Sequence, residues 1–236
     1  MQGKFYGIGV GPGDPELLTY KAVRLLGEVD VVAVPVVGRG KPSTAYSIAG
    51  RFVSAGCRVL EIDFPMTHER TKLEEAWDTG REAISAALNR GESVAFLTLG
   101  DPMLYSTYIY LYHHLQQAGY DVFTVPGINS FSAAAAAAGV PLTFGDEKMA
   151  ILPGNAVLEL SDEDLAGFQT LALFKVANHY EQVVASLERA GRLKGSVLVT
   201  NCGQPGERIV SDLKSVLGEK LSYFSLIISR KEPVFK

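Results

Sequence analysis

Residues 94–112 read VAFLTLGDPMLYSTYIYLY, and this stretch decides the fold class. Its first part, Val94 to Leu99, is a mainly apolar run of strand length, typical of a strand that is covered on both faces of a sheet. The run stops at Gly100-Asp101-Pro102, and an aromatic-rich segment with helical spacing follows from Tyr105. A buried strand, a tight turn and a helix form the repeating unit of open α/β sheets, in which ligands bind outside the carboxyl ends of the strands.

The same alternation of strand and helix extends on both sides of that stretch. The pattern predicts five strands, near residues 4–10, 29–37, 57–62, 94–99 and 122–125. It predicts four helices between them, one beginning at Pro15 with Asp14 as N-cap, and others at residues 43–53, 72–89 and 105–117. Strands that alternate with helices predict a doubly wound parallel five-stranded sheet.

The pattern changes at Val125-Pro126 and becomes less regular. A helix of small residues is predicted at 130–138, strands near 149–152, 170–176, 196–200 and 223–228, and helices near 180–190 and 207–217. This mixture predicts a second α/β domain with a mixed sheet. We therefore expect a two-domain α/β protein, with an N-terminal domain at residues 1–125 and a C-terminal domain at residues 126–236.

Composition limits the classes of function. The chain has 236 residues, 47% of them apolar, which is enough for a sizeable core, and a formal net charge of −4, which argues against a nucleic-acid partner. Its two cysteines, Cys57 and Cys202, make neither a disulfide framework nor a zinc-binding spacing, so no protein-bound metal is expected. Without an 18-residue apolar run or a signal-peptide pattern, the expectation is a soluble cytoplasmic protein that does not enter a membrane.

Several common motifs are absent. The glycines at 9, 11 and 13 have the spacing G-x-G-x-G rather than the dinucleotide-binding G-x-G-x-x-G, and there is no P-loop and no G-x-S-x-G nucleophile elbow. Individual polar residues also have simpler explanations: Asp14 as an N-cap, Asp101 as a turn residue, and the tyrosines after the turn as a packed helix face. From the residues alone, the expectation is a small-molecule cleft between two α/β domains.

Three motifs in order give a more specific resemblance. Residues 9–19 read GVGPGDPELLT, residues 100–107 read GDPMLYST, and residues 125–130 read VPGINS. Together they resemble the tetrapyrrole methylases, S-adenosylmethionine-dependent enzymes of corrin and sirohaem synthesis. Residues 64–67 (FPMT), Trp77 and the extended segment 97–107 resemble more narrowly the subgroup that methylates precorrin-2 or cobalt-factor II at C20, in cobalamin and porphyrin biosynthesis.

The resemblance implies a homodimer that holds S-adenosylmethionine in a cleft between its two domains, largely by main-chain groups, and releases S-adenosylhomocysteine. Carried over by position, the implied cofactor-binding residues of the N-terminal domain are Gly100, Asp101, Met103, Tyr105 and Ser106. Those of the C-terminal domain are Ser130, Phe131, Val176, Cys202 and Gly203, the last two lying in a segment that matches the family pattern only loosely.

The resemblance also implies a tetrapyrrole substrate, facing the loop of Gly11, Pro12, Gly13 and Asp14. The substrate carries many carboxylates, for which the candidate counter-charges are Arg39, Lys41, Arg70 and Lys72, although each of these cations is equally explained as a solvated surface residue. No catalytic acid or base is assigned, and the candidates are Asp14, His68 and Tyr105.

Three alternatives remain open at this point. The chain could methylate another position of the corrin ring, or it could act on a protein or RNA target through the same fold. It could also bind S-adenosylmethionine or a porphyrinoid without catalysis, although the intact GDP turn and GPGD loop argue against a degenerate site. The sequence does not distinguish a metal-free substrate from one that already holds cobalt.

Overall fold

The computed structural model describes residues 2–38, 40–64 and 69–232, without the side chains of residues 70–75. The chain divides into two compact units, Met1–Asn129 and Ser130–Lys236. The division falls a few residues after the Val125-Pro126 junction expected from the sequence.

The first unit contains a five-stranded sheet in the order β3-β2-β4-β1-β5, in which every pair of neighbouring strands is parallel. Helices connect the strands, as predicted for a doubly wound sheet. The bounds are β1 (Lys4–Gly9), α1 (Tyr20–Leu26), β2 (Val31–Val36), α2 (Thr44–Ala49), β3 (Arg58–Asp63), α3 (Arg70–Asn89), β4 (Val94–Thr98), α4 (Tyr108–Gln117) and β5 (Asp121–Val125), with short 3-10 helices at Pro15–Leu17 and Gly50–Phe52.

Two hydrophobic clusters cover the two faces of this sheet. On one face, α1 and α2 pack against alternate strand residues such as Ile8, Val34 and Leu97. On the other face, α3 and α4 pack against the intervening residues, including Phe5 and Phe96. Burial on both faces explains why the strands are continuous apolar runs in the sequence.

Two helices of the first unit begin later than the sequence predicts. Asp14 does act as a cap, since its Oδ1 accepts a hydrogen bond from Glu16 N at 2.8 Å, but it caps the 3-10 turn Pro15–Leu17. The α-helix begins at Tyr20, where the Thr19 side chain caps it. The helix predicted from Tyr105 begins at Tyr108, because Tyr105 has a left-handed backbone (φ 50°) that cannot continue a right-handed helix.

The second unit contains a mixed five-stranded sheet in the order β6-β7-β10-β8-β9, which confirms the expected fold class. β6 and β7 are parallel, and the other neighbouring pairs are antiparallel. The bounds are α5 (Ser130–Ala138), β6 (Met149–Pro153), α6 (Asp162–Ala166), β7 (Thr170–Phe174), α7 (Tyr180–Arg189), β8 (Ser196–Thr200), β9 (Arg208–Val210) and β10 (Ser225–Arg230), with 3-10 helices at Gly154–Glu159, Val176–His179, Leu193–Gly195 and Leu213–Val216.

Two predictions for this unit are wrong in detail, and one helix was missed. The helix predicted near residues 207–217 is instead strand β9 followed by a 3-10 turn, because Arg208–Val210 pairs with β8 at the edge of the sheet. The strand predicted at 170–176 ends at Phe174, since Lys175 has a left-handed φ of 55°. Helix α6 was not predicted, although its Ser161 capping box is a helix-start signal.

A close contact between β1 and α4 fixes the packing of the second face. The ring of Tyr108 is fully buried and lies directly over Gly7, and its hydroxyl is 2.7 Å from Thr124 Oγ1. Burial raises the pKa of Tyr108, so its hydroxyl stays protonated at neutral pH. A Cβ at Gly7 would lie 2.1 Å from Tyr108 Cε2, so only glycine leaves room for the ring.

The substitution Gly7→Ala is therefore expected to lower the free energy of unfolding by about 2 kcal/mol or more, because the new methyl group overlaps a ring that cannot leave the core. Urea denaturation measures this change. Gly56→Ala is the matched control, since a Cβ at Gly56 would meet no atom within 4 Å. Equal stability of the two variants would contradict the proposed packing.

Candidate functional site: the turn after β4

The predicted GDP turn is held against the loop after β1 by main-chain hydrogen bonds. Gly100 N donates to Gly11 O at 2.8 Å, and Gly11 N donates to Gly100 O at 3.3 Å, forming an isolated antiparallel bridge. Both glycines have left-handed φ angles, 73° for Gly100 and 77° for Gly11, which other residues rarely adopt. The two glycine motifs that the sequence places about 90 residues apart are therefore neighbours in the fold.

The loops after β1, β4 and β5 meet through glycine backbones. A Cβ at Gly9 would lie 2.6 Å from both Gly100 O and Gly127 N. A Cβ at Gly127 would lie 2.1 Å from Gly100 O and 2.8 Å from Gly9 Cα. We call these three residues the glycine junction. No side chain fits inside it, so the three motifs depend on one another for their positions.

The carboxylate of Asp101 braces this junction. Its Oδ1 accepts a hydrogen bond from Met103 N at 2.8 Å, and its Oδ2 accepts one from Gly127 N at 3.0 Å. The first bond closes the turn, and the second ties it to the segment that follows β5. Both oxygens of this predicted cofactor-binding residue thus bind main-chain groups of the protein, which makes Asp101 a positioning residue for the turn.

The outer side of the turn is open. A Cβ at Gly100 would meet no atom within 4 Å, while Met103 and Tyr105 are 54% and 52% exposed. Ser106 Oγ accepts a hydrogen bond from Tyr108 N at 3.1 Å, which helps the chain enter α4. Four of the predicted cofactor-binding residues, Gly100, Met103, Tyr105 and Ser106, therefore lie along one short segment that is partly exposed.

The predicted substrate loop lies beside the same junction. Gly11, Pro12 and Gly13 are buried, whereas Asp14 is half-buried and holds the following 3-10 turn. Two further predicted residues, Arg39 and His68, lie outside the described residues, as do Pro65, Met66 and Thr67 of the FPMT segment. Arg70 is the first residue of α3, and its side chain is not described.

In the second unit, the predicted residues Ser130 and Phe131 are the first two residues of α5. Phe131 packs edge-on against Phe174, with ring centroids 5.9 Å apart. Val176 is fully buried and begins the 3-10 turn that follows β7.

Cys202 and Gly203 lie in a loop that contains an internal hydrogen bond. Gly203 N donates to Glu207 Oε2 at 2.7 Å, so this N–H group already has a partner within the loop. Burial and the neighbouring Glu207 raise the pKa of the Cys202 thiol to about 11. Cys202 is therefore a protonated thiol at neutral pH and is not an activated nucleophile.

Backbone strain occurs in the segments that contain the predicted site residues. Among the described residues, the non-glycine residues with left-handed φ are Tyr105, Lys175 and Asn201, at 50°, 55° and 51°. Tyr105 follows the GDP turn, Lys175 precedes Val176, and Asn201 precedes Cys202. Strain of this kind tends to collect at ligand-binding sites. The sequence analysis did not identify Lys175, because neither this residue nor its neighbours in the sequence indicate a left-handed backbone.

The described residues contain neither a metal-binding cluster nor a membrane-spanning helix. In that part of the chain, no group of three or more His, Cys, Asp or Glu side chains is arranged to hold a metal ion. No helix there has the length and apolar character needed to cross a membrane.

Known proteins that are similar in sequence indicate the family of this chain. The chain is 34% identical over 235 residues to the cobalt-precorrin-2 C(20)-methyltransferase of Salmonella typhimurium, and the match covers 98% of each protein. It is 30% identical over 234 residues to a precorrin-2 C(20)-methyltransferase of a Sinorhizobium species, covering 96% of this chain and 94% of the relative.

A solved structure is also similar over almost the whole chain. The uroporphyrin-III C-methyltransferase of Thermus thermophilus, in complex with S-adenosylhomocysteine, superposes with a TM-score of 0.64 at 25% identity, covering 97% of this chain and 98% of the other. The family model of the tetrapyrrole (corrin/porphyrin) methylases matches residues 4–217. The family resemblance of the three motifs is thereby confirmed, and the chain belongs to the tetrapyrrole methylases.

Proposed function

We propose that this protein transfers a methyl group from S-adenosylmethionine to C20 of precorrin-2 or of its cobalt complex, a step of cobalamin biosynthesis. The observation that carries the proposal is the near full-length similarity to two relatives that are both named for C20 methylation, one acting on the cobalt-bearing and one on the metal-free substrate. The segments at 64–67 and 97–107 suggested the same subgroup from the sequence alone.

We further propose that the cofactor binds at the open side of the GDP turn. The residues there leave room for a ligand: Gly100 has free space beside its Cα, and Met103 and Tyr105 are exposed. The S-adenosylhomocysteine in the Thermus thermophilus relative supports the choice of cofactor. From the second unit, the proposed contacts are Ser130, Phe131, Val176, Cys202 and Gly203.

The proposed role of the protein is to position its two ligands. S-adenosylmethionine supplies an electrophilic methyl group and is released as S-adenosylhomocysteine when the S–CH3 bond breaks. C20 of a reduced tetrapyrrole is electron-rich enough to accept the methyl group without prior loss of a proton, and the proton on C20 leaves to solvent afterwards. Holding reactants at the right distance and angle can account for a large part of a rate enhancement. The glycine junction and the Asp101 brace serve this purpose, because they fix the turn without occupying its open side.

The remaining expectations belong to the same proposal. We propose a homodimer located in the cytoplasm, with no protein-bound metal, no nucleic-acid partner and no association with membranes. The loop of Gly11, Pro12, Gly13 and Asp14, together with Arg39 and Arg70, is proposed to face the tetrapyrrole.

Anaerobic incubation with labelled S-adenosylmethionine and either precorrin-2 or its cobalt complex tests the reaction. We expect one methyl group to be transferred, and NMR of the product to locate it at C20. The preferred substrate follows from the ratio of the two kcat/KM values. Methylation at another carbon would contradict the C20 assignment, and binding of both ligands without turnover would contradict the enzymatic function.

Met103→Ala tests the position of the cofactor. Because this side chain is 54% exposed, we expect an unchanged melting temperature but an affinity for S-adenosylmethionine reduced about 10-fold, measured by isothermal titration calorimetry. Leu217→Ala, which removes an aliphatic side chain that is 43% exposed in the second unit, is the control. Equal affinity of the two variants would place the cofactor away from the turn.

Single substitutions test whether catalysis needs a protein acid or base. For Asp14→Ala, His68→Ala and Tyr105→Phe, we expect kcat to fall by less than about 10⁴-fold, since positioning rather than proton transfer is the proposed source of rate. Turnover under saturating ligands is compared with binding of each ligand. A larger loss with binding intact would identify that residue as a true acid or base.

A further inference from the structure

The parallel sheet of the first unit divides at its carboxyl edge. β2 pairs with β4 only from Val31 to Ala33, although β2 continues to Val36 and β4 to Thr98. Beyond that point each strand stays with its other neighbour. β2 remains paired with β3 as far as Val36, and β4 remains paired with β1 as far as Thr98.

The two strands are clamped at their amino ends. Ser93 N and Oγ both donate to Asp30 Oδ2 at 2.7 Å, and Val31 N donates to Ser93 O at 3.0 Å. These bonds lower the pKa of Asp30, so its carboxylate stays ionised and the clamp is maintained at neutral pH. At the other end β2 contains Pro35, which has no N–H to donate to a ladder. The strands therefore separate in one direction only, toward their carboxyl ends.

A cavity of about 390 Å³ lies between the separated carboxyl ends of β2 and β4, a place that we call the β2–β4 fork. Its walls are mainly apolar and include Val36 and Val37 from the end of β2, Phe64 after β3 and Leu99 after β4. Lys41 and Ser43 contribute the polar groups. This volume lies at the lower end of the range for small-molecule sites, so it accommodates part of a large ligand rather than all of it.

The topology of the sheet makes this fork a favoured place for a ligand. Helices α1 and α2, which follow β1 and β2, pack on one face, whereas α3 and α4, which follow β3 and β4, pack on the other. β4 lies between β2 and β1, so a change of face occurs on each of its sides. In open α/β sheets, ligands bind in the crevice at such a switch point.

Only one of the two crevices beside β4 is open within this unit. On the β1 side, the glycine junction brings Gly9, Gly100 and Gly127 so close that even a Cβ would not fit. On the β2 side, the separation of the strands leaves the cavity. The turn proposed to hold the cofactor begins at Gly100, directly after the cavity-lining Leu99.

The main-chain N–H groups of Gly38 and Lys41 are both hydrogen-bonded. Gly38 N donates to Asp63 Oδ1 at 2.9 Å, and Lys41 N donates to Gly38 O at 3.2 Å. Among the described residues, Lys41 has no ion-pair partner. A mainly apolar cavity with one ammonium group at its wall suits a flat apolar ring that carries a carboxylate.

We infer that the β2–β4 fork binds one pyrrole edge of the polycarboxylated tetrapyrrole, with Lys41 pairing with a peripheral carboxylate. This inference rests on the proposed function and adds the cavity as a position for the substrate, at whose wall Lys41, one of the candidate counter-charges, lies. The apolar walls exclude water from the ring edge, and the ammonium group selects a ring that is acidic at its periphery over a neutral one.

Filling the cavity tests the inference. Val37 lines it but is 46% exposed, so Val37→Trp is expected to leave the fold intact while blocking the entrance. We expect the Kd for precorrin-2, or for its cobalt complex, to rise at least 10-fold in an anaerobic absorbance titration, with the Kd for S-adenosylmethionine changed less than 2-fold. The matched control is Val59→Trp, because Val59 is 41% exposed on β3 and does not line the cavity.

Lys41→Gln tests the charge separately and keeps the inference testable if Val37→Trp fails to fold. We expect KM for the tetrapyrrole to rise about 3- to 10-fold at low salt with kcat little changed, a smaller effect at high salt, and recovery in Lys41→Arg. Lys21→Gln, at an exposed residue of α1, is the control.

The outcomes separate the two proposals. If wild-type protein binds and methylates the tetrapyrrole but both cavity variants behave like their controls, the fork is not the substrate site, and the proposed function stands. If Val37→Trp weakens S-adenosylmethionine instead, the cavity belongs to the cofactor and the inference is wrong. If wild-type protein binds neither tetrapyrrole, the proposed function itself fails.

Discussion

The first unit depends on a place where three strand ends come together without side chains. A Cβ at Gly9 or at Gly127 would overlap the carbonyl oxygen of Gly100, and Asp101 connects two of the three loops through its carboxylate. In such close packing, a methyl group added to the loop of Gly9 or of Gly127 must displace a neighbouring loop. Gly100 itself has open space where its Cβ would be, so the turn is crowded on one side and open on the other.

In the second unit, a buried cation connects separate segments of the chain. Arg192 is 1% exposed, and its guanidinium N–H groups donate to carbonyls of α6 and of the loop that follows it, and to Ser229 on β10. Burial lowers the pKa of Arg192 to about 10, so the group remains charged at neutral pH and all of its donors stay in use. Removing it would leave several buried carbonyls without partners, which is costly in a low-dielectric core.

The proposed function gives these features a common explanation. A methyltransferase needs its donor held in place and a water-poor site for its acceptor. The GDP turn, where we propose that the donor binds, is held by the glycine junction and Asp101. The fork between β2 and β4, where we propose that the acceptor binds, opens because Asp30 and Ser93 hold the strands together at one end while each strand pairs with its other neighbour at the opposite end.

Much of this was accessible from the sequence. Apolar runs such as Val94 to Leu99 predicted the parallel strands, and the three glycine-containing motifs identified the family, because burial on both faces and tight turns restrict residue types locally. The predicted ends of helices and strands were wrong where a single residue adopts a left-handed backbone, as at Tyr105 and Lys175. A helix was wrongly predicted at Arg208–Val210, because pairing at the edge of the sheet outweighs helical spacing there.

The contacts between groups that are distant in the sequence became known only from the three-dimensional fold. The sequence determined that Gly100-Asp101-Pro102 is a turn, but not that Asp101 binds the backbone of Gly127, since that contact joins loops 26 residues apart. It determined that Val31–Val36 is a strand, but not that the strand leaves β4 after Ala33. Local composition fixes what each segment prefers, whereas hydrogen-bond register between distant strands fixes where a cavity opens.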